Sequence, residues 1–157
     1  MPSWGYSYSA KGEREAMASG RDLRVSFKET VELLREIRGK KLSEAYQILD
    51  DVIALKRAVP FKRFKRGIPH RKELTGWKAG RYPVKAAKLV KKVLKSAEHN
   101  AMNKDLDPEN LYIKHAAAQV GSKLKRIFPR AYGRATPKYE QLVHVEIVLE
   151  EREVEEE

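Results

Sequence analysis

Between the apolar segment Leu111–Ala118 and the alternating segment Leu142–Leu149 the chain runs for more than twenty residues that cannot build a core. They carry Lys123, Lys125, Arg126, Arg130, Arg134 and Lys138, with no acid before Glu140. Pro129 and Pro137 interrupt any helix there. A connection of this length is rare in a compact domain unless it is functional or disordered. The flanking segments read as strands, with Val143, Val145, Ile147 and Leu149 on one side and His144 and Glu146 on the other. If the two strands pair, the basic connection becomes an extended hairpin whose arms of about ten residues project roughly 33 Å at about 3.3 Å per residue. Such a ribbon has nothing of its own to bury and needs a partner to hold it.

The rest of the 157 residues suffices for one compact domain. Ser26 and Glu29 have the spacing of a capping box, and Phe27, Thr30, Val31, Leu34 and Ile37 share a helical face, with Lys28, Glu29, Glu32, Arg35 and Glu36 opposite. Gly39 supplies the stop. Ser43 is expected to cap a second helix with the stripe Ala45, Ile48, Leu49 and Val52, running to about Arg57. Pro83 opens a third, in which Leu89, Val90, Val93, Leu94 and Ala97 form one side while Lys85, Lys88, Lys91, Lys92 and Lys95 crowd an arc of roughly 120° at about 100° per residue. Asp105–Pro108 reads as a turn. The expected fold is α+β: three helices packed on a small antiparallel sheet, with a long extended β-hairpin. The expected organisation is an N-terminal arm over 1–22, flexible or bound to RNA, since Met1–Arg21 shows no strand or helix periodicity. A globular RNA-binding domain takes 23–118 with 142–150, the hairpin 119–141, and an acidic tail 151–157.

Lys and Arg outnumber Asp and Glu by 33 to 22, a net of +11, but Glu150–Glu157 alone contributes −5, which leaves +16 on residues 1–149. That field attracts polyanions. Three acid-free basic runs, Lys56–Lys72, Lys78–Lys95 and Lys123–Lys138, fall on different elements, which suits wrapping a folded RNA better than reading one groove of DNA. Phe61, Phe64, Tyr132 and Tyr139 are candidates for base stacking.

Catalysis finds no footing. The chain has no cysteine, hence no thiol chemistry and no cysteine-ligated zinc. His70, His99, His115 and His144 lack ligand spacing, and adjacent Asp50 and Asp51 point in different directions along a helix, which leaves solvation as their role. There is no phosphate-cradling glycine loop and no nucleophile elbow. No catalytic, cofactor or metal residue is expected. Nor is membrane insertion, because no apolar run approaches the roughly 18 residues a span requires; a cytoplasmic protein is expected.

The hairpin carries a specific pattern: Lys125, four residues, Arg130-Ala131-x-Gly133-Arg134, nine residues, then His144-Val145-x-Ile147-x-Leu149. This resembles the signature of the large-subunit ribosomal protein family L twenty-two, called L seventeen in eukaryotes. IRGKKLSEA from Ile37 and SAEHNA from Ser96 resemble further blocks of that family. VPFKRF and GWKAGRYP resemble the insertion of its archaeal and eukaryotic branch. The resemblance spans roughly Leu23 to Glu150. It implies a structural constituent of the large ribosomal subunit whose globular part sits near the exit of the nascent-peptide tunnel. It also implies a hairpin that crosses ribosomal RNA to line the tunnel wall, with large-subunit ribosomal RNA, neighbouring ribosomal proteins and the nascent peptide as partners. On this basis Arg63, Arg66, Lys78, Arg81, Lys85, Lys88, Lys92, Lys95, Lys123, Lys125, Arg126, Arg130, Arg134 and Lys138 are the expected RNA contacts. The tip is expected at Phe128, Pro129, Arg130, Ala131, Tyr132, Gly133 and Arg134, where Phe128 and Tyr132 depart from the smaller or basic residues of bacterial members. The alternative is a general basic RNA- or DNA-binding protein outside the ribosome.

A two-stranded ribbon is marginal in water, so in the free protein the amides from Val120 to Gln141 are expected to exchange fast with deuterium while the globular domain is protected. Strong protection throughout that segment contradicts the expectation.

Overall fold

The structure, a computed structural model, describes residues 5–9 and 12–152. In chain order the elements are β1 (Glu15–Leu23), α1 (Phe27–Ile37), α2 (Leu42–Ile53), β2 (Val59–Pro60), β3 (Gly80–Arg81), α3 (Val84–Met102), β4 (Leu111–Leu124), β5 (Ile127–Pro129), β6 (Ala135–Pro137) and β7 (Glu140–Glu151). The main sheet has the order β1-β7-β4, antiparallel throughout, and the three helices pack on one of its faces, giving the expected α+β fold. One core joins Leu33, Leu34 and Ile37 of α1, Ile48 and Leu49 of α2, Val90 and Leu94 of α3, and Val143, Val145, Ile147 and Leu149 of β7.

The sequence pattern misled in one place of consequence. Residues 15–22, expected in a flexible or RNA-bound arm, form a sheet strand together with Leu23, with Ala16 opposite Leu149 and Ala18 opposite Ile147. Its residues are mostly small, so it shows no apolar alternation, yet Ala16 and Ala18 are buried in the core. With β1 on one side and β4 on the other, β7 is a central strand, and its supposed polar face is buried too: His144 and Glu146 are 4% and 0% exposed. Residues 5–9 lie against that face. Ser7 donates from its backbone N and its hydroxyl to Glu146 Oε2, at 3.0 and 2.6 Å, and Tyr8 stacks on His115. Lys114 of β4 reaches across the same face to Glu15 of β1, at 2.6 Å, and to Glu150 of β7. Both hydrogen bonds raise the pKa of Lys114, the one to Glu15 most, and the Lys114 ammonium pulls Glu150 below the ordinary carboxylate range. Glu150 and Glu151 are therefore strand residues and Arg152 is tied by its N–H to Asn110; of the acidic tail, 153–157 lies outside the described residues, as does 1–4 of the arm.

Helix ends also differ from expectation. Ser26 occupies the N-cap position of α1 but its hydroxyl caps nothing, and Glu29 lies toward Arg81 instead of reaching back. Gly39 does provide the left-handed stop, at φ +80°. Lys41, not Ser43, stands at the N-cap of α2, and that helix ends at Ile53, short of Arg57, because Leu55 turns left-handed at φ +61°. Lys91, counted in the lysine arc of α3, points to α2, where it binds Asp50 at 2.6 Å; Asp50 is thus paired rather than merely solvated.

Glu32 departs furthest from its helical-wheel position. Placed on the polar face by periodicity, it is 1% exposed, and its Oε1 accepts the backbone N–H groups of Arg63 and Phe64 at 2.7 and 2.8 Å. A buried carboxylate thereby satisfies two loop amides and pins the basic loop to α1. Glu32→Ala strands both donors and is expected to cost about 3 kcal/mol, taking bonds to charged groups at about 1.5–3 kcal/mol each before relaxation. Glu32→Gln, which keeps an acceptor oxygen, is expected to cost less than half as much, and urea unfolding of the two variants measures the difference.

Candidate nucleic-acid interface

The hairpin grows directly out of the sheet. Strands β4 and β7 pair without leaving their sheet as far as Leu124 opposite Glu140, and β5 and β6 carry the ribbon on through Ile127–Pro137, Phe128–Thr136 and Pro129–Ala135. Backbone bonds from Lys138 N to Arg126 O and from Arg130 N to Arg134 O, at 2.7 and 2.8 Å, bracket this stretch. In an antiparallel ladder hydrogen-bonded pairs alternate with unbonded ones. Pro129 and Pro137 fall at the intervening positions, where an N–H points outward and no ladder bond is lost. The ribbon closes at Ala131–Gly133, with Tyr132 at φ +57° and Gly133 at φ +66°. Gly133 adopts this conformation freely, whereas for Tyr132 it carries a cost of about 1 kcal/mol. That strained tyrosine is 97% exposed.

Every expected RNA-contacting residue is exposed: Arg63, Arg66, Lys78, Arg81, Lys85, Lys88, Lys92, Lys95, Lys123, Lys125, Arg126, Arg130, Arg134 and Lys138. Of these, among the described residues, only Arg81, 3.9 Å from Glu29, and Arg126, 3.5 Å from Glu140, have a carboxylate oxygen within 4 Å. On the hairpin, Phe128 is flanked by Arg130 and Lys138, 4.9 and 5.6 Å from its ring centre, and Tyr139 by Lys123 at 5.5 Å. Each forms a flat aromatic surface beside cations, the combination that stacks a base and neutralises its phosphate.

The basic loop divides into anchors and contacts. Phe61, expected as a stacking candidate, is 1% exposed and belongs to the core; its carbonyl accepts the indole N–H of Trp77 at 3.0 Å. Phe64 sits edge-on to Phe27 and carries the Arg63 guanidinium on its other contacts, 5.3 Å from its centre. Fixed this way, Arg63, Arg66 and Arg81 line one open cleft together with Lys28 and Lys65. Lys28 and Lys65 were not picked out from the sequence: Lys28 has the spacing of any solvated helix residue, and only the folding back of the loop brings it to the cleft. On α3, Lys85, Lys88, Lys92 and Lys95 repeat at spacings of three and four and share one exposed face. Lys85 also lines a groove with Arg24, Tyr139 and Glu140, which joins the α3 strip to the hairpin root.

Glu140 is the one acid lining that groove. It receives Arg24 Nε and Nη2 on its two oxygens, both at 2.8 Å, and the hydrogen bond from Arg24 holds its carboxyl below the usual range. Among the described residues no three His, Asp or Glu side chains are grouped as metal ligands, and no helix is long and apolar enough to cross a membrane. The arrangement offers exposed cations and flat rings on the loop, on α3 and on the hairpin, chemistry suited to binding a phosphate backbone and bases.

Comparison with known proteins gives the same direction. The model of the family described as ribosomal protein L22p/L17e matches residues 18–150. The chain is 52% identical to the large ribosomal subunit protein uL22 of Archaeoglobus fulgidus over 155 residues, 97% of this chain and 100% of that protein. It is 51% identical to the protein of the same name from Thermofilum pendens over 153 residues, 98% and 100% of the two chains. It is 50% identical to that of Staphylothermus marinus over 155 residues, 96% and 99%. A fold with this ribbon, a family match that takes in the sheet, the helices and the hairpin, and relatives half-identical from end to end place this chain in the ribosomal protein L22p/L17e family.

Proposed function

We propose that this protein is a structural, non-catalytic constituent of the large ribosomal subunit in the cytoplasm. It binds large-subunit ribosomal RNA and supports its assembly, and its hairpin reaches through that RNA to line the nascent-peptide exit tunnel. Family membership supports the first part, since the relatives are named as large ribosomal subunit proteins. The observation that carries the RNA reading is the hairpin itself: an exposed ribbon with six cations, of which only Arg126 has a carboxylate nearby. The charge of such a ribbon is neutralised by laying it along a polyanion. Neighbouring ribosomal proteins would border the globular body, and the tip at Phe128–Arg134 would meet the nascent peptide. In this reading residues 119–141 act as the probe, and 23–118 with 142–150, extended by β1, as its mount.

Two outcomes test the proposal. In titrations across a salt series, large-subunit ribosomal RNA is expected to keep its affinity at salt concentrations that release unrelated duplex DNA. Equal binding to both reduces the protein to a general basic nucleic-acid binder. Arg130→Ala with Arg134→Ala is expected to weaken RNA binding and to lessen the salt slope by about 1.4, at about 0.7 per phosphate contact for single strands. An unchanged slope and normal incorporation into subunits remove those two residues from the role.

A further inference from the structure

At the root of the hairpin the ladder is irregular on both edges of β7. The pairing of β1 with β7 slips between Gly20 (opposite Val145) and Leu23 (opposite Val143). The pairing of β4 with β7 slips between Val120 (opposite Val143) and Lys123 (opposite Gln141). Both irregularities flank the same short stretch of β7, one on each edge. Bulges bend a strand and increase its twist, so this level is where the ribbon would swivel against the body.

The side chains gathered at that level bridge both slips. Asp22, left-handed at φ +47°, donates its backbone N–H to Nδ1 of His144 in β7 at 3.0 Å, and its Oδ1 accepts the N–H of Ser122 in β4 at 3.2 Å. Gln141 in β7 donates Nε2 to the carbonyls of Gly121 and Ser122 at 2.7 and 3.2 Å. Gly121 leaves the room this requires: a Cβ there would stand 2.9 Å from the His144 ring and 3.0 Å from Asp22 Oδ1. Two residues after Asp22, Arg24 holds Glu140 through both carboxylate oxygens, and Glu140 also lies 3.5 Å from Arg126 on the arm. Leu23, between the two, packs against the core. Asp22 and Glu140 are carboxylates beside a cationic ribbon, where they repel phosphate, so their contribution lies in these internal bonds.

We propose that Asp22 and Arg24 are positioning residues that clamp the root of the hairpin to the body and fix its direction before any RNA is bound. A pre-aimed ribbon loses less conformational freedom on binding than one that swings. The inference rests on the RNA-binding reading for that benefit alone, and the clamp itself is measured in the free, full-length chain, so failure of one is distinguishable from failure of the other.

Because the sequence has no cysteine, Ser96→Cys on the exposed side of α3 and Tyr132→Cys at the tip take spin labels at those two places only. Pulsed electron paramagnetic resonance then reports the body-to-tip distance distribution. The doubly labelled parent is expected to show one narrow distribution. Asp22→Ala with Arg24→Ala is expected to broaden it about twofold or more, toward the behaviour of a ribbon that is marginal in isolation, without abolishing cooperative thermal unfolding of the body. Asp22→Asn, which keeps an acceptor oxygen and tolerates a left-handed backbone, is expected to stay narrow. A parent already as broad as the double variant, an unchanged width in that variant, or equal broadening by Asp22→Asn each overturns the clamp. If Asp22→Ala prevents folding, Arg24→Ala alone decides: its side chain is 59% exposed and removable, and an unaltered width overturns the proposal.

Discussion

Strand β7 carries the structure. It is paired along both edges, to β1 and β4, and packed on both faces, with the helices on one side and residues 5–9 with the Lys114 bridge on the other. Burying a strand this fully is affordable because it is paired to β1 and β4 over most of its length and the buried acid on its outer face meets a donor and a cation: Glu146 has Ser7 and, at 3.7 Å, Arg21. The same strand begins at Glu140, inside the ribbon. The hairpin is thus the unsupported end of the most supported element, and any force on it is transmitted along a continuous backbone to the core.

That continuity explains how a basic ribbon and a compact body coexist in one small chain. Cations that crowd a surface repel one another, and a helix or sheet covered with them needs internal compensation or wide spacing. Here the two remedies are segregated. Acids are placed where the body needs fastening, at Glu32 under the loop, Glu15 and Glu150 around Lys114, and Glu140 at the root, while the arms beyond Glu140 carry none. The body keeps an excess of cations but fastens some of them to acids, whereas the arms beyond Glu140 hold cations alone.

How much of this was legible in the sequence depends on the range of the interaction involved. The stripes of α1, α2 and α3 and the pairing of β4 with β7 follow from local periodicity, and the cations named from the sequence are all on the surface because burying an unpaired Lys or Arg is prohibitive. The ribbon was legible for the opposite reason, the absence of anything to bury. Strand β1 was not, since Ala16, Met17, Ala18, Ser19 and Gly20 owe their strand state to β7, far away in sequence. Glu32 and Phe61 were misplaced for a related reason: each depends on the loop folding back onto α1, which no spacing within either segment announces. The cleft shared by Lys28, Lys65, Arg63 and Arg81 is likewise a product of tertiary structure.

The prolines of the arms bear on how the free protein meets its own copies. A two-stranded ribbon has two bare edges, and this one also displays Val120, Ile127, Phe128 and Tyr132 to water, the makings of a template on which a second chain could add itself strand by strand. Pro129 and Pro137 stand at outward positions, one on each edge, so neither edge offers an unbroken row of donors, and the surrounding lysines and arginines push a like-charged newcomer away. A ribbon with both edges bare is by the same residues made a poor template for its own copies.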